Sequence, residues 1–178
     1  MTTNRSTKYL NNKAKKLQII KIIKKKRNSF FKFQPFKNLN SKYLEFYTFH
    51  SGFKKKHDDL LIVYFKLLVP VAAVYSKTLT PSAPIIWDKK NNNGYCKLLI
   101  VNSGNANAHT GNLGVKNIDR YVKKASIFFG CSVNEILVSS TGVIGEQLDY
   151  KKITDKLLPL ESLKETNLLS AARAIMTT

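Results

Sequence analysis

The sequence contains few cysteine and histidine residues, which form disulfide bonds and bind zinc in many proteins. Its 178 residues include only two cysteines and three histidines, too few for a disulfide scaffold or a four-cysteine zinc site. No run of about 18 uninterrupted apolar residues occurs, so the sequence predicts no membrane-spanning helix. The low cysteine count favours a reducing compartment. We therefore expect a protein without a disulfide framework, a resident metal ion, a cofactor or a membrane segment.

Acidic residues are missing from the first quarter of the chain. Residues 1–42 hold 13 of the 30 Lys and Arg residues and none of the 11 Asp and Glu residues, whereas residues 43–178 carry 17 basic and 11 acidic residues, a net charge of +6. This contrast predicts a basic, poorly ordered leader over 1–42 and a globular part over 43–178. Hydrophobic residues, at 43%, are sufficient to form a core.

The leader has three interpretations. Its lysine clusters can neutralise phosphates, with Phe30, Phe31 and Phe33 available for stacking, as in a small basic nucleic-acid-binding protein. Its basic, acid-free composition also resembles a mitochondrial presequence, which would direct the protein to the matrix. The third interpretation is a solvated tail without a partner. We rank the tail first, and therefore expect a cytoplasmic protein that does not bind nucleic acid.

Short apolar runs alternate with helical periods from residue 43 onward, which predicts an α/β fold of mixed sheets with helices packed outside. The helical spacing predicts a helix through Ile118 that stops at Gly130, and a helix capped by Asp149 and ended by Pro159. It also predicts a last helix over Glu161–Met176. The expected apolar side of that last helix carries Leu168, Leu169, Ala172, Ile175 and Met176. The strand candidates are Leu60–Phe65, Val71–Tyr75, a segment at Trp87, Lys97–Val101 and Glu135–Val138, with an Asn91–Gly94 turn after Trp87.

Two strand ends lead directly into small polar residues. The first segment, Asn102-Ser-Gly-Asn-Ala-Asn-Ala-His-Thr-Gly111, offers backbone N–H groups and asparagine amides to a small polar ligand. Alternatively, its asparagines cap their own backbone. The second, Ser139-Ser-Thr-Gly-Val-Ile-Gly145, sets the Thr141 hydroxyl beside the N–H of Gly142. That pair can stabilise an anion developing on a carbonyl oxygen, although such turns are often purely structural.

The remaining chemical candidates are weaker. The three histidines, His50, His57 and His109, lack the spacing of metal ligands. Cys131 follows a helix end and is expected to pack rather than react. The single tryptophan, Trp87, is expected to fill the core. We therefore expect no cofactor or metal site at these residues.

Five blocks in collinear order resemble the ornithine acetyltransferases, which are also called bifunctional glutamate N-acetyltransferases and belong to arginine biosynthesis. The two polar segments carry the strongest resemblance. The supporting blocks are Ser51-Gly-Phe-Lys-Lys-Lys-His-Asp-Asp-Leu60, Val71-Ala-Ala-Val-Tyr-Ser-Lys-Thr78 with Ser82-Ala-Pro-Ile85, and the closing Ala171-Ala-Arg-Ala-Ile-Met-Thr-Thr178. The resemblance covers residues 43–178 and implies the family's layered α/β sandwich, incomplete at the carboxyl end.

What the resemblance implies is an acetyltransferase made as a precursor that cleaves itself ahead of a threonine. That threonine takes the acetyl group from N-acetylornithine, and in some members from acetyl-CoA, and passes it to glutamate. The family's oxyanion hole falls on Thr141 and Gly142. A substrate contact falls on Thr178, with Thr177 as the neighbouring possibility. The cleaved halves of family members form heterotetramers, and many members have Cys in place of His109, so no catalytic role is expected there.

The family's nucleophilic threonine has no counterpart in the sequence up to Thr178. We therefore interpret the chain as an amino-terminal, α-subunit fragment and expect the purified 178-residue chain to transfer no acetyl group. The measurement is an assay with N-acetylornithine as donor and glutamate as acceptor. Measurable turnover by the chain alone would contradict the expectation.

Overall fold

A four-stranded mixed sheet organises the part of the chain that the computed structural model describes, residues 42–177. The strands are β1 (Leu44–Phe49), β2 (Leu60–Pro70), β3 (Tyr95–Asn105) and β4 (Ile136–Val143), and they lie in the order β1-β2-β3-β4. β2 is antiparallel to both β1 and β3, whereas β4 is parallel to β3. The predicted leader 1–42 falls, except for its last residue, outside the described residues.

Four helices accompany the sheet: α1 (Ala83–Asn91), α2 (Gly111–Phe129), α3 (Lys151–Thr154) and α4 (Leu168–Ala174). Two short 3₁₀ turns occupy Val133–Glu135 and Leu160–Ser162. α2 is the crossover between β3 and β4, because two parallel neighbours cannot be joined by a tight hairpin. The mixed sheet with helices outside it confirms the predicted α/β class.

The main core lies where α1 and α2 pack on the sheet. β-strand residues Leu60, Ile62, Leu98 and Ile100 are almost fully buried there. On α2, the residues that enter this core recur every three or four positions, as the helical period predicts. Its buried apolar residues are Ile118, Tyr121, Val122, Ala125 and Phe129. Gly130 ends the helix in the left-handed conformation (φ 59°), which confirms the predicted stop.

A smaller apolar cluster is formed by the other face of β1 and β2 with α4. Phe46, Leu61 and Val63 pack there against Ala171 and Ala174. Alternating residues of each strand therefore face opposite cores, as the two-residue period of a strand requires. The sheet is covered on both faces, although α4 is only seven residues long.

Two strand predictions in the middle of the chain are wrong. Val71–Tyr75 has no regular structure, because β2 itself runs on to Pro70, which pairs with Tyr95, the first residue of β3. Val71 N still donates to Gly94 O (2.8 Å), and the residues after it have passed the start of the partner strand. Trp87 lies in α1 rather than in a strand. Pro84 occupies the first turn of α1, where its missing N–H costs nothing. The Asn91–Gly94 turn therefore joins a helix to β3.

The helices near the carboxyl end are shorter than predicted. The N-cap of α3 is Tyr150 rather than the predicted Asp149, which lies one residue earlier and accepts a hydrogen bond from Lys151 N through its Oδ1 (3.0 Å). α3 ends at Thr154 rather than at Pro159. The long helix over Glu161–Met176 is also wrong. Thr166 forms an antiparallel bridge with Phe46 at the edge of β1, which holds the chain extended there.

The apolar side predicted for the last helix is mostly exposed. α4 starts only after Asn167, whose side chain accepts from Ser170 N. In this shorter helix, the buried residues are Ala171 and Ala174. The predicted apolar residues, by contrast, are exposed: Leu168, Leu169, Ala172, Ile175 and Met176. Over residues 42–177, no helix is both long and apolar enough to cross a membrane.

A buried carboxyl group ties α1 to β4. Asp88 is 9% exposed, and its Oδ1 accepts a hydrogen bond from Val138 N at 3.1 Å. Burial raises the pKa of Asp88 to about 7, and the hydrogen bond from Val138 offsets only part of that rise. The folded protein therefore binds a proton here that the unfolded chain releases near pH 4.

We expect the free energy of unfolding to fall as pH rises from about 4 to above 7, because the native state must then ionise a buried carboxyl. Asp88→Asn keeps an acceptor oxygen for Val138 N and removes the charge. Its unfolding free energy should exceed that of the wild type by about 2–4 kcal/mol at pH 8. Urea unfolding at pH 5 to 8 measures the difference. Asp155→Asn, at an exposed carboxyl, is the control, and equal pH profiles for all three proteins would contradict the expectation.

Candidate functional site

The two polar segments meet at one edge of the sheet. They begin in the last residues of β3 and β4, which are parallel neighbours, so the two segments lie side by side. The ladder pairs Ser103 with Thr141 and Gly104 with Gly142. Thr141 and Gly142, which the sequence suggested for anion stabilisation, therefore lie beside the asparagine-rich segment. We call Ser139–Gly145 the Thr-Gly turn.

Backbone hydrogen bonds continue this contact beyond the strands. Ala106 N donates to Val143 O (2.8 Å), and Gly145 N donates to Ala108 O (2.9 Å). The two segments thus run together for several residues after the sheet has ended, and the Thr-Gly turn is held along its length.

The asparagine amides are used within the protein. Asn102 and Asn105 are almost fully buried, and Asn102 Nδ2 donates to Asn105 O (2.8 Å) while Asn102 Oδ1 accepts from Ser140 Oγ (2.6 Å). Asn105 Nδ2 donates to Glu146 O (3.1 Å). Asn107 is fully buried; its Nδ2 donates to Gly114 O in the first turn of α2 (3.2 Å), and its Oδ1 accepts from Thr110 Oγ1 (2.8 Å). Of the two interpretations of this segment, the structure has the one in which the asparagines cap backbone groups.

Two glycines permit the close approach. Gly142 has φ 133°, and a Cβ atom there would lie 2.3 Å from the carbonyl carbon of Gly104. Gly104 has φ 107°, and a Cβ atom there would lie 2.8 Å from Phe53 O. No L side chain fits either position without backbone movement. Three segments, around Phe53, Gly104 and Gly142, are therefore stacked at backbone distance.

A buried carboxylate organises the first of these segments. Asp59 is fully buried and accepts hydrogen bonds from Ser51 N (2.7 Å), Ser51 Oγ (2.5 Å), Gly52 N (3.1 Å) and Lys54 N (2.8 Å). Burial alone would raise the pKa of Asp59, but the bonds donated by Ser51 and the nearby backbone amides outweigh it and hold the pKa below its ordinary value. Its own backbone oxygen accepts from Ser103 N (2.8 Å). Asp59 thereby links the loop to β3.

The carboxyl end of α4 is bound to the same edge. Ser103 Oγ donates to Ala174 O (2.5 Å), and Lys54 Nζ donates to Ala174 O (3.2 Å) and Met176 O (3.0 Å). Since Ser103 also pairs with Thr141, only a few bonded groups separate the Thr-Gly turn from Thr177. Thr178, the other substrate contact suggested by the resemblance, lies outside the described residues.

A cavity of about 620 Å³ opens beside this junction. Its lining includes Lys54 and Arg173, two cationic side chains suited to a carboxylate, together with Thr177. The other lining residues are His57, Asp58, Ser170, Ala174 and Met176. We call it the α4 cavity. Lys54 and Arg173 were not singled out by the sequence, although both stand inside blocks that carried the resemblance.

The Thr-Gly turn itself is open to solvent. Thr141 is half-buried and Gly142 is exposed, and among the described residues neither lines the α4 cavity. The Thr141 hydroxyl has no hydrogen-bond partner within residues 42–177. The structure thus brings Thr141, Gly142 and Thr177 to one edge without enclosing the first two.

Cys131 and Trp87, which the sequence analysis also considered, lie in or against the main core. Burial raises the pKa of Cys131 to about 11, so its thiol is protonated at neutral pH and unreactive. Cys131 packs against the main core, and Trp87, 5% exposed, lies within it. No group of three or more potential metal ligands occurs in the described part of the chain.

Residues 45–178 match the model of the ArgJ family. The chain belongs to the ArgJ family. The arginine biosynthesis bifunctional protein ArgJ of Bradyrhizobium diazoefficiens is 43% identical over 126 residues, and that of Agrobacterium fabrum is 40% identical over 134 residues. These matches cover 70% and 74% of this chain but only 30% and 32% of the relatives. The chain thus spans about a third of the length of the curated relatives it matches.

Two solved structures share the fold of this ArgJ chain. ArgJ from Bacillus halodurans superposes with a TM-score of 0.69 at 30% identity, covering 78% of this chain and 74% of that one. Ornithine acetyltransferase from Mycobacterium tuberculosis, solved in complex with ornithine, gives a TM-score of 0.70 at 25% identity and covers 78% of both chains. The α/β fold is therefore that of the family.

We expect Asp59→Asn to lower the free energy of unfolding at pH 7 by about 2–4 kcal/mol, because an amide NH₂ would face N–H donors in a buried site. Since the pKa of Asp59 is lowered in the folded state, its contribution is present above about pH 4 and is lost as pH falls through the folded pKa. Chemical unfolding at pH 7 and pH 3 measures both effects.

Asp58→Asn is the matched control, because Asp58 is adjacent in sequence but only half-buried. It should change the unfolding free energy by less than about 0.5 kcal/mol. Equal losses for the two variants would show that Asp59 has no special role in this edge.

Proposed function

We propose that this ArgJ chain is the amino-terminal part of a glutamate N-acetyltransferase of arginine biosynthesis. The enzyme moves an acetyl group from N-acetylornithine to glutamate, and acetyl-CoA is a further candidate donor. The observation that carries the proposal is the adjacency of the Thr-Gly turn, the buried asparagine loop and the Ala174–Thr177 segment at one sheet edge. Membership of the ArgJ family supports it.

The Thr141 hydroxyl and the Gly142 N–H form the proposed oxyanion hole. The backbone of the turn is hydrogen-bonded to β3 and the segment after it, Gly142 lies against Gly104, and the Thr141 hydroxyl has no partner among the described residues. Donors held in place before the reaction stabilise a developing oxyanion without reorganisation. These are the properties expected of a turn that receives a carbonyl oxygen from a site completed by further residues.

The proposed chemistry divides one acyl transfer into two. A threonine hydroxyl, supplied from beyond position 178 and deprotonated by its own α-amine, attacks the acetyl carbonyl carbon of N-acetylornithine. The carbonyl oxygen becomes an oxyanion, which Thr141 and Gly142 stabilise. The C–N bond then breaks, ornithine leaves with the proton, and an acetyl ester remains. The amine of glutamate attacks this ester by the reverse path and releases the threonine.

The α4 cavity is the proposed place for the amino-acid part of the substrates. Lys54 and Arg173 can pair with an α-carboxylate, which N-acetylornithine and glutamate both carry. Thr177 lines the same cavity, and Thr178 is proposed as the next contact. The solved relative from Mycobacterium tuberculosis contains ornithine, which supports an amino-acid site in the family.

The proposed enzyme has a second subunit. The matches cover only 30% and 32% of the lengths of two ArgJ relatives. The resemblance to the ornithine acetyltransferases implies a precursor cleaved in two, whose second half begins with the nucleophilic threonine. We propose this division for the complete protein, with a heterotetramer of both halves in the cytoplasm.

The nucleic-acid alternative depends on the lysines of residues 1–42. These lie, except for the last, outside the described residues, and no observation on residues 42–177 favours that function. The mitochondrial alternative depends on the same segment. Acetyl transfer is therefore the single function proposed.

Thr141→Val tests the oxyanion hole. The chain would be joined to the remaining two thirds of the Bradyrhizobium diazoefficiens relative, and acetyl transfer would be measured after cleavage. We expect turnover to fall by about tenfold to a thousandfold, because one oxyanion donor is lost while the side-chain shape is kept. Unchanged turnover would contradict the role of Thr141.

Thr78→Val is the matched control, since Thr78 is an exposed threonine outside the turn. It should leave turnover unchanged. Gly142→Ala does not provide an equivalent test, because its Cβ atom would meet the backbone of Gly104 at 2.3 Å. A loss of activity there would report a displaced backbone as much as a lost N–H donor.

A further inference from the structure

A second cavity, of about 420 Å³, lies between α1 and the amino-terminal end of α2. We call it the α1–α2 cavity. Its volume is in the usual range for small-molecule sites. Its polar lining comes from Thr80, Lys90, His109, Thr110, Asn112 and Lys116. Among the described residues, none of those that line it is acidic. None of the residues that line it belongs to the acetyl-transfer site proposed above.

Two lysines from different helices give the cavity its charge. Lys90 lies in the last turn of α1, and Lys116 lies in the second turn of α2. Neither ammonium group has an ion pair or a hydrogen bond with another residue of the described part of the chain. Two unneutralised cations beside one cavity attract an anion, and phosphate is a common partner of lysine.

The rest of the lining is apolar. Pro81, Ile86 and Val115 line the cavity together with the lysines, and Ile86 is 42% exposed. An inorganic ion gains nothing from such a surface, whereas an organic group that covers Ile86 and Val115 removes apolar area from water. The combination fits a phosphate attached to an organic molecule better than a free phosphate ion.

The cavity wall is built before any ligand binds. His109 stands between two anchored residues, since Ala108 O accepts from Gly145 N (2.9 Å) and Thr110 O accepts from Gln147 Nε2 (3.0 Å). On the α1 side, Ala83 N donates to Asn107 O (3.0 Å). A wall fixed by hydrogen bonds on both sides lowers the ordering cost of binding.

We propose that the α1–α2 cavity binds a phosphate-bearing organic molecule. Lys90 and Lys116 contact the phosphate, and Ile86 and Val115 contact the organic part. The proposal does not depend on acetyl transfer, because the residues that form the site do not include Thr141, Gly142 or the lining of the α4 cavity.

Titration calorimetry on the 178-residue chain tests the proposal with three probes: coenzyme A, adenosine monophosphate and inorganic phosphate. We expect at least one organic phosphate to bind with a stoichiometry of one and more tightly than inorganic phosphate. Lys90→Gln and Lys116→Gln should each weaken that binding by about tenfold, as the loss of one charged contact does. Ile86→Ser should weaken the binding of the organic phosphate but leave the binding of inorganic phosphate unchanged.

Lys151→Gln is the matched control, because Lys151 is an exposed lysine of α3 outside the cavity. It should bind the probes as the wild type does. An equal loss in this variant would assign the binding to overall positive charge and overturn the proposal. So would the absence of binding, or organic phosphates that bind no more tightly than inorganic phosphate.

Discussion

The buried carboxylate of Asp59 is the interaction on which the candidate site depends. The loop that follows β1 folds back so that Phe53 packs against the main core and reaches the backbone of Gly104. The polar and charged residues beside Phe53 need a further reason to follow it. Asp59 provides one, because four N–H and O–H donors of Ser51, Gly52 and Lys54 converge on it. The loop then carries Lys54 to the end of α4, and the backbone of Asp59 fixes Ser103.

The sequence predicted the elements whose patterns are local. The apolar period of α2, its stop at Gly130 and the apolar run of β3 are properties of consecutive residues, and each was confirmed. The adjacency of the two polar segments results from the parallel pairing of β3 and β4 across α2, which brings their carboxyl ends to one edge. The fold class and the Thr-Gly turn were therefore within reach of the sequence.

The errors arose where a distant partner decides the structure. Thr166 is extended because it bridges Phe46, 120 residues away, and no local pattern reports that contact. Asp59 stands among charged residues in the sequence, and nothing local marks it as buried. Its carboxylate is nevertheless fully buried, because its hydrogen-bond donors come from the folded loop. For the same reason, the asparagines that suggested a ligand site are used to hold backbone groups.

We propose that this sheet edge positions an oxyanion at Thr141 and Gly142. The most direct measurement is the crystal structure of the chain completed with the missing two thirds of the family's length, bound to a phosphonate analogue of the tetrahedral intermediate. The account predicts one analogue oxygen within about 3 Å of both Thr141 Oγ1 and Gly142 N. An analogue bound with its oxygens away from these two atoms would contradict it.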